Sequence, residues 1–188
     1  MTEDQIVDDV FVKEGDTYGD QHSTPPIDQP TGRGGITLGT LLEFVLATRA
    51  ELAPTVETLR TLSHAQAREI VRWKLRQLAT HHGLDQIAFA PLRLHMIDFA
   101  YNSGAPLAIR WLQRVLGLAR TGRMDVRTLA ALKDPLDSQR VSVWIHQSLI
   151  AARLQMIDRA TDPGGKVDHR YEEGLENRAL SFSMLEVP

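Results

Sequence analysis

Glu14 is the residue of this 188-residue chain whose type and setting most clearly allow catalysis. It is followed by Gly15, where the chain can turn, and preceded by an apolar pattern that predicts an amphipathic helix. The apolar positions are Ile6, Val7, Val10 and Phe11. A carboxylic acid at such a turn can face a cleft and donate a proton. The alternative is a Lys-Glu pair at a solvent-facing helix end.

A second carboxylate is the usual partner of such an acid. Cleavage of a glycosidic bond needs one group that protonates the leaving oxygen and another that stabilises the sugar cation or activates water. Asp16, Asp20 and Asp28 all lie on the loop after Glu14, and the residues themselves leave the choice open. We favour Asp28, because the Pro-rich segment around it is stiff, and Thr31 beyond it offers a hydroxyl to water or a sugar.

The elements that must position these residues are mainly helices. Residues 15–37 are rich in Gly, Pro, Thr and Asp, and predict a long irregular loop with room for a small hairpin within 15–36. Helical spacing and end signals follow it. Thr37 can cap the first of these helices, and Ser63 to Gln66 form a capping box for residues 64–80. Pro91 lies in the first turn of the next helix, which Asn102-Ser103-Gly104 ends. Asp125 can cap a helix through Leu132, and Asp137 or Ser138 can cap the last long helix.

Composition excludes several classes of function. The chain is 43% hydrophobic and 24% charged, and it has no apolar run long enough to span a bilayer. Its net charge of -3 argues against nucleic acid as a partner. It has no cysteine, which removes disulfides and thiolate chemistry.

Other catalytic and metal-binding patterns are missing from the sequence. The seven histidines are scattered and form no His-Glu-x-x-His motif, so a zinc amidase or peptidase is disfavoured and no metal site is predicted. No Gly-x-Ser-x-Gly elbow is present either. Trp73, Trp111 and Trp144 are predicted on apolar helix faces, with a sugar-stacking platform as the alternative.

Five stretches carry a resemblance to a known family. Glu14 to Tyr18 matches a Glu-Gly-Gly-Tyr helix end, and Asp28 to Thr37 matches, with gaps, an Asp-Pro-Gly-Gly-x-Thr-Asn-x-Gly-Ile-Thr loop. Ile97 to Gly104 matches Asp-x-Ala-x-Asn-x-Gly, and Ala108 to Gly117 matches Leu-Gln-x-x-Leu-Gly. Gly174 to Arg178 matches Gly-Trp-x-x-Arg, with leucine for tryptophan. In these motifs the chain resembles the secretion-activator muramidases, glycoside hydrolase family 108, with their C-terminal peptidoglycan-binding-like region.

The resemblance implies a mainly α, lysozyme-like fold and an N-acetylmuramidase that cleaves the bond between N-acetylmuramic acid and N-acetylglucosamine. It implies Glu14 as the general acid, and Asn102 with its neighbour Tyr101 as lining of the sugar cleft. A helix C-cap is the alternative for Asn102. We expect a catalytic part at 1–90 and a peptidoglycan-binding-like part at 91–188, packed as one compact unit. The alternative function is non-catalytic cell-wall binding or morphogenesis on a diverged fold.

The expected setting follows from the same resemblance. The partner is the peptidoglycan glycan strand, no cofactor is implied, and we expect a monomer. The acidic N-terminus carries no visible signal peptide. We therefore expect synthesis in the cytoplasm, passage through a holin or another export pore, and action on the cell wall in the periplasm.

Overall fold

The computed structural model describes residues 3–14, 31–133 and 138–161, with residues 176, 177, 179, 180 and 182 near the C-terminus. The described part of the chain is mainly helical, which confirms the predicted fold class. Contacts divide the chain into two compact units, Thr2–Gln77 (the N-terminal unit) and Leu78–Pro188 (the C-terminal unit). The functional division at residue 90 stays a prediction.

The helices of the N-terminal unit, apart from the first, begin at local capping signals. They are α1 (Glu3–Glu14), α2 (Leu38–Thr48), α3 (Val56–Thr61) and most of α4 (His64–His81), with a 3-10 turn at Arg33–Gly35. The Thr37 hydroxyl accepts a hydrogen bond from the Thr40 amide at 3.1 Å and starts α2. Ser63 and Gln66 form the predicted capping box of α4. The pattern does not predict α3, because six residues are too few to show a period.

The helices of the C-terminal unit also begin and end where the residues predict. They are the end of α4, a 3-10 turn at Leu84–Gln86, then α5 (Ala90–Ser103), α6 (Ala105–Val115), α7 (Val126–Leu132) and α8 (Ser138–Thr161). Pro91 lies in the first turn of α5, and Gly104, at φ +82°, separates α5 from α6. The Asp125 carboxylate caps α7 by accepting from the Thr128 amide at 2.9 Å.

The tryptophan prediction is wrong for Trp144. Trp144 is 57% exposed, whereas Trp73 and Trp111 are half-buried. In α8 the buried row runs through Ile145 and Leu149, four residues apart. Trp144 precedes that row by one residue, about 100° around a helix, so it points away from the core.

The loop before α2 contains one short β pairing. Thr31 and Thr37 form an isolated antiparallel bridge, and residues 15–30 of the predicted loop and hairpin lie outside the described residues. Among the helices that the structure describes, none is both long and apolar enough to cross a membrane.

Candidate functional site

Glu14 is the last residue of α1, and its side chain lies outside the described part of the structure. Asp16, Asp20 and Asp28 also lie outside the described residues. The geometry at this site therefore rests on α1 and on the segment 31–37, where the loop returns.

The returning segment packs closely on the last turns of α1. Gly34 adopts φ +65°, and a Cβ atom built on it would lie 3.0 Å from the Phe11 ring. Only glycine allows both this left-handed backbone and this approach to the aromatic ring. The Gly32 amide donates to the Ile36 carbonyl at 2.7 Å, which closes the turn across the Thr31 and Thr37 bridge. The backbone around Thr31 is thus anchored beside the helix that ends in Glu14.

The segment is held from its other side by α3 and the start of α4. The Arg33 Nε donates to the Leu62 carbonyl at 3.0 Å. A Cβ atom on Gly32 would lie 3.2 Å from the Leu59 carbonyl oxygen, so a larger residue has little room. The Phe11 ring also lies 5.0 Å from the His64 ring, centroid to centroid. These contacts place the backbone of segment 31–37 between α1 and the corner formed by α3 and α4.

A row of ion pairs fixes the direction of α1 along α4. Glu3 pairs with Arg76 at 2.8 Å, Asp4 with Arg72, and Asp8 with Arg68. Residue numbers rise along one helix as they fall along the other, so the two helices are antiparallel. The Glu14 end of α1 therefore faces the N-terminal end of α4.

The electrostatics of this row favour charged carboxylates. A hydrogen bond from Arg72, followed by the charge of its guanidinium, holds the pKa of Asp4 below its ordinary value. Exposed pairs of this kind contribute little stability individually, so their main effect here is on helix direction.

Tyr101 and Asn102 lie in the last turn of α5, in the C-terminal unit. Both residues are half-buried. The Asn102 side-chain amide donates to the Asp98 backbone carbonyl at 2.6 Å and lies 3.2 Å from the Asp98 Oδ1. The N–H side of this amide is thus used within the helix. A cleft that Tyr101 and Asn102 share with Glu14 stays a prediction, because Glu14 belongs to the other unit.

Sequence reasoning missed the buried ion pair beneath Asn102. Arg153 Nη1 donates to Asp98 Oδ2 at 2.9 Å, and the two residues are 2% and 1% exposed. The Arg153 guanidinium also lies 4.8 Å from the centre of the Phe99 ring. A signal was present, because Arg153 continues the i+4 row of Ile145 and Leu149. A cation in an apolar helix row needs a buried partner.

Gln113 is a second buried group that the pattern does not reveal. Its Oε1 accepts from the Gly122 amide at 2.9 Å. Its Nε2 lies 2.9 Å from the Arg123 carbonyl, and within 3.0 Å of the Thr121 and Thr128 hydroxyls. One fully buried amide therefore fixes the whole turn between α6 and α7.

Two buried histidines also lie in the C-terminal unit. His95 is 0% exposed and stacks on Phe182 at 4.6 Å, while His146 is 4% exposed and lies 5.2 Å from the His95 ring. Neither His95 ring nitrogen has a hydrogen-bond partner among the described residues. Burial, then Arg153 and His146, lowers the pKa of His95 well below its usual value, and burial lowers the pKa of His146 to about 4.

Within the part of the chain that the structure describes, no three His, Asp or Glu side chains cluster as metal ligands would. The candidate functional residues form two groups. One is the Glu14 end of α1 with segment 31–37, and the other is the Tyr101–Asn102 turn next to the Asp98 and Arg153 pair.

Comparison with known proteins gives one solved structure. The chain is similar to SagA from Brucella abortus, with 25% sequence identity, a TM-score of 0.60, and coverage of 99% of this chain and 98% of that one. No family model matches the chain, and no curated protein matches it. The likeness extends over the sequence of both units and is not confined to one helical hairpin.

Proposed function

We propose that this protein is a peptidoglycan hydrolase, an N-acetylmuramidase in which Glu14 protonates the glycosidic oxygen. The observation that carries the proposal is the likeness to SagA over nearly the whole chain, which supports a lysozyme-like, peptidoglycan-related protein. The motif resemblance to secretion-activator muramidases supplies the reaction and the role of Glu14.

The described geometry is compatible with that role. Glu14 ends a helix whose core face packs under a glycine-rich backbone segment, and the segment is anchored on both sides. A fixed backbone next to a helix end can hold an acid at constant distance from a substrate, and such positioning is what general acid catalysis requires. The partner carboxylate is proposed to be Asp28, with Asp16 and Asp20 as the other loop acids.

The test measures new reducing ends released from purified peptidoglycan. Wild-type protein is expected to release reducing N-acetylmuramic acid, identified by mass spectrometry after borohydride reduction. Glu14→Gln is expected to lower the rate about 10²- to 10⁴-fold, the usual contribution of a general acid. Glu51→Gln is the matched control, because Glu51 is an exposed carboxylate of the same unit. Full activity in Glu14→Gln would refute the assignment.

Three further variants identify the second acid. Asp16→Asn, Asp20→Asn and Asp28→Asn are compared under the same conditions, and only Asp28→Asn is expected to approach the loss seen with Glu14→Gln. The anomer of the first product then separates a retaining from an inverting mechanism.

Cell-wall binding without catalysis is the competing outcome. It would show as co-sedimentation of the wild-type chain with cell walls and no release of reducing sugar. That result would contradict the hydrolase proposal while keeping the cell-wall connection.

A further inference from the structure

A depression of about 430 Å³ lies in the C-terminal unit, where the end of α4 meets the turn between α6 and α7. Its walls include His81, His82 and Gln86 on one side, and Gly122 and Arg123 on the other. We call it the His82–Arg123 pocket. It is separate from Tyr101, Asn102 and the buried Asp98 and Arg153 pair, none of which lines it.

Two glycines in the left-handed region shape this pocket. Gly83 has φ +71°, and a Cβ atom on it would lie 3.0 Å from the Gln86 Nε2. Gly122 has φ +72°, and its Cβ would lie 3.0 Å from the Pro106 carbonyl oxygen. A side chain at either position would be strained and crowded, so both positions require glycine.

The far wall is also rigid. The buried Gln113 amide holds both residues of that wall, because its Oε1 accepts from the Gly122 amide and its Nε2 donates to the Arg123 carbonyl, each at 2.9 Å. Little ordering is then required when a ligand binds, which favours affinity at a shallow site.

The titratable side chains that line the pocket are all basic. Arg123 and the two imidazoles of His81 and His82 line it, and the Arg110 Nη1 lies 3.1 Å from the Cβ position of Gly122. Among the described residues, no Asp or Glu lines the pocket. A local excess of cationic groups contrasts with the net charge of -3 of the whole chain. Guanidinium and imidazolium groups that converge on one pocket are typical ligands of oxyanions.

The C-terminal carbonyls of α4 repel an anion in the pocket only in part. The Leu78 carbonyl accepts from the His82 amide and the Thr80 carbonyl from the Gly83 amide, each at 3.2 Å. These bonds engage carbonyls that would otherwise carry the negative end of the helix dipole toward the pocket.

We propose that the His82–Arg123 pocket binds a small oxyanion, a carboxylate or a tetrahedral sulfate- or phosphate-type group, through Arg123 and the paired imidazoles. The proposal is independent of the glycosidase activity. It assigns this pocket a ligand class, and it makes binding depend on pH.

The pH dependence follows from the two imidazoles. Burial, followed by the neighbouring His81, lowers the pKa of His82 below its ordinary value. The rings of His81 and His82 lie 5.1 Å apart, so a positive charge on His81 disfavours protonation of His82. An anion between the imidazoles and Arg123 offsets that repulsion and therefore raises the pKa of His82. The factor by which the anion increases the proton affinity of His82 equals the factor by which protonation of His82 tightens anion binding.

The experiment is an NMR titration of the full chain with sodium sulfate and, separately, sodium acetate at constant ionic strength. Sulfate stays ionised between pH 5.5 and 7.5, and acetate stays mostly ionised. We expect saturable shifts of the Gly83, Gly122 and Arg123 amides, and a rise in the pKa of His82 of about half a unit, equivalent to about threefold tighter binding to the protonated form. Preference for sulfate or for acetate distinguishes a tetrahedral from a planar ligand.

Two arginine variants separate a site from general attraction. Arg123→Gln removes a lining cation, and Arg127→Gln removes an exposed cation of the neighbouring helix α7 that does not line the pocket. Arg123→Gln is expected to weaken binding at least about threefold, and Arg127→Gln to leave it unchanged. His82→Asn is expected to flatten the pH dependence. Equal effects of the two arginine variants, or shifts that never saturate, would overturn the proposal.

Discussion

Lowering the pH from 7 to 5 is expected to destabilise the C-terminal unit, because its two buried histidines resist protonation. His146 lies against the His95 and Phe89 rings, and His95 is enclosed by Phe99 and Phe182. An unfolded chain exposes both imidazoles to water, where they titrate near 6.5. The folded unit keeps them neutral to a lower pH.

The magnitude follows from the pKa of His146, which burial lowers to about 4 in the folded protein. Above pH 6.5 both states are neutral, and the stability is fully present. Between 6.5 and 4 the unfolded chain binds a proton that the folded chain does not, so stability falls by about 1.4 kcal/mol for each pH unit. From pH 7 to 5 the loss is about 2 kcal/mol from His146 alone. His95 adds a loss of the same sign.

The assay is urea unfolding at pH 7 and pH 5, followed by tryptophan fluorescence, since Trp111 and Trp144 lie in this unit. His146→Phe keeps an apolar ring in the same space but cannot be protonated. It is expected to retain about 2 kcal/mol more of its pH 7 stability at pH 5 than the wild type does. His81→Gln, which changes an exposed histidine of the same unit, is expected to follow the wild type.

A wild-type stability that is equal at the two pH values would refute this reasoning. So would a His146→Phe variant that loses as much stability as the wild type, because the loss would then originate elsewhere.

Three other substitutions test the contacts described above, each by urea unfolding. Asp98→Ala should cost about 3–5 kcal/mol because it removes the buried carboxylate to which the Arg153 guanidinium donates, whereas joint Asp98→Leu and Arg153→Met should cost much less. Gln113→Leu should cost at least about 1–3 kcal/mol because it orphans the buried Gly122 amide. Gly34→Ala should cost about 1–3 kcal/mol through its positive φ and its contact with Phe11, and should also slow release of reducing sugar from peptidoglycan. An Asp98→Ala variant as stable as wild type, or a Gly34→Ala variant with unchanged stability, would contradict these packing arguments.

The helices of this protein are largely determined by local sequence. A cap needs only a hydroxyl or carboxylate and an amide three residues later, so Thr37, Ser63 and Asp125 could be assigned from the sequence, and each caps a helix in the structure. Gly104 likewise ends a helix because its own backbone can adopt a positive φ. These interactions span at most four residues, and the sequence therefore contains both partners side by side.

The groups around the candidate sites depend on partners that are distant in sequence. Asp98 and Arg153 are 55 residues apart, and position 34 requires glycine partly because the Phe11 ring lies against it. The local spacing of apolar residues does not show which of several apolar faces becomes buried. The exposure of Trp144 could therefore not be predicted from the pattern of its helix.

The sequence by itself predicted the helical class and most of the helix ends, and it is the source of the hypothesis that Glu14 is the acid. Only the tertiary structure decided which polar groups are buried together, because burial and long-range pairing are properties of the packed chain and not of any one segment.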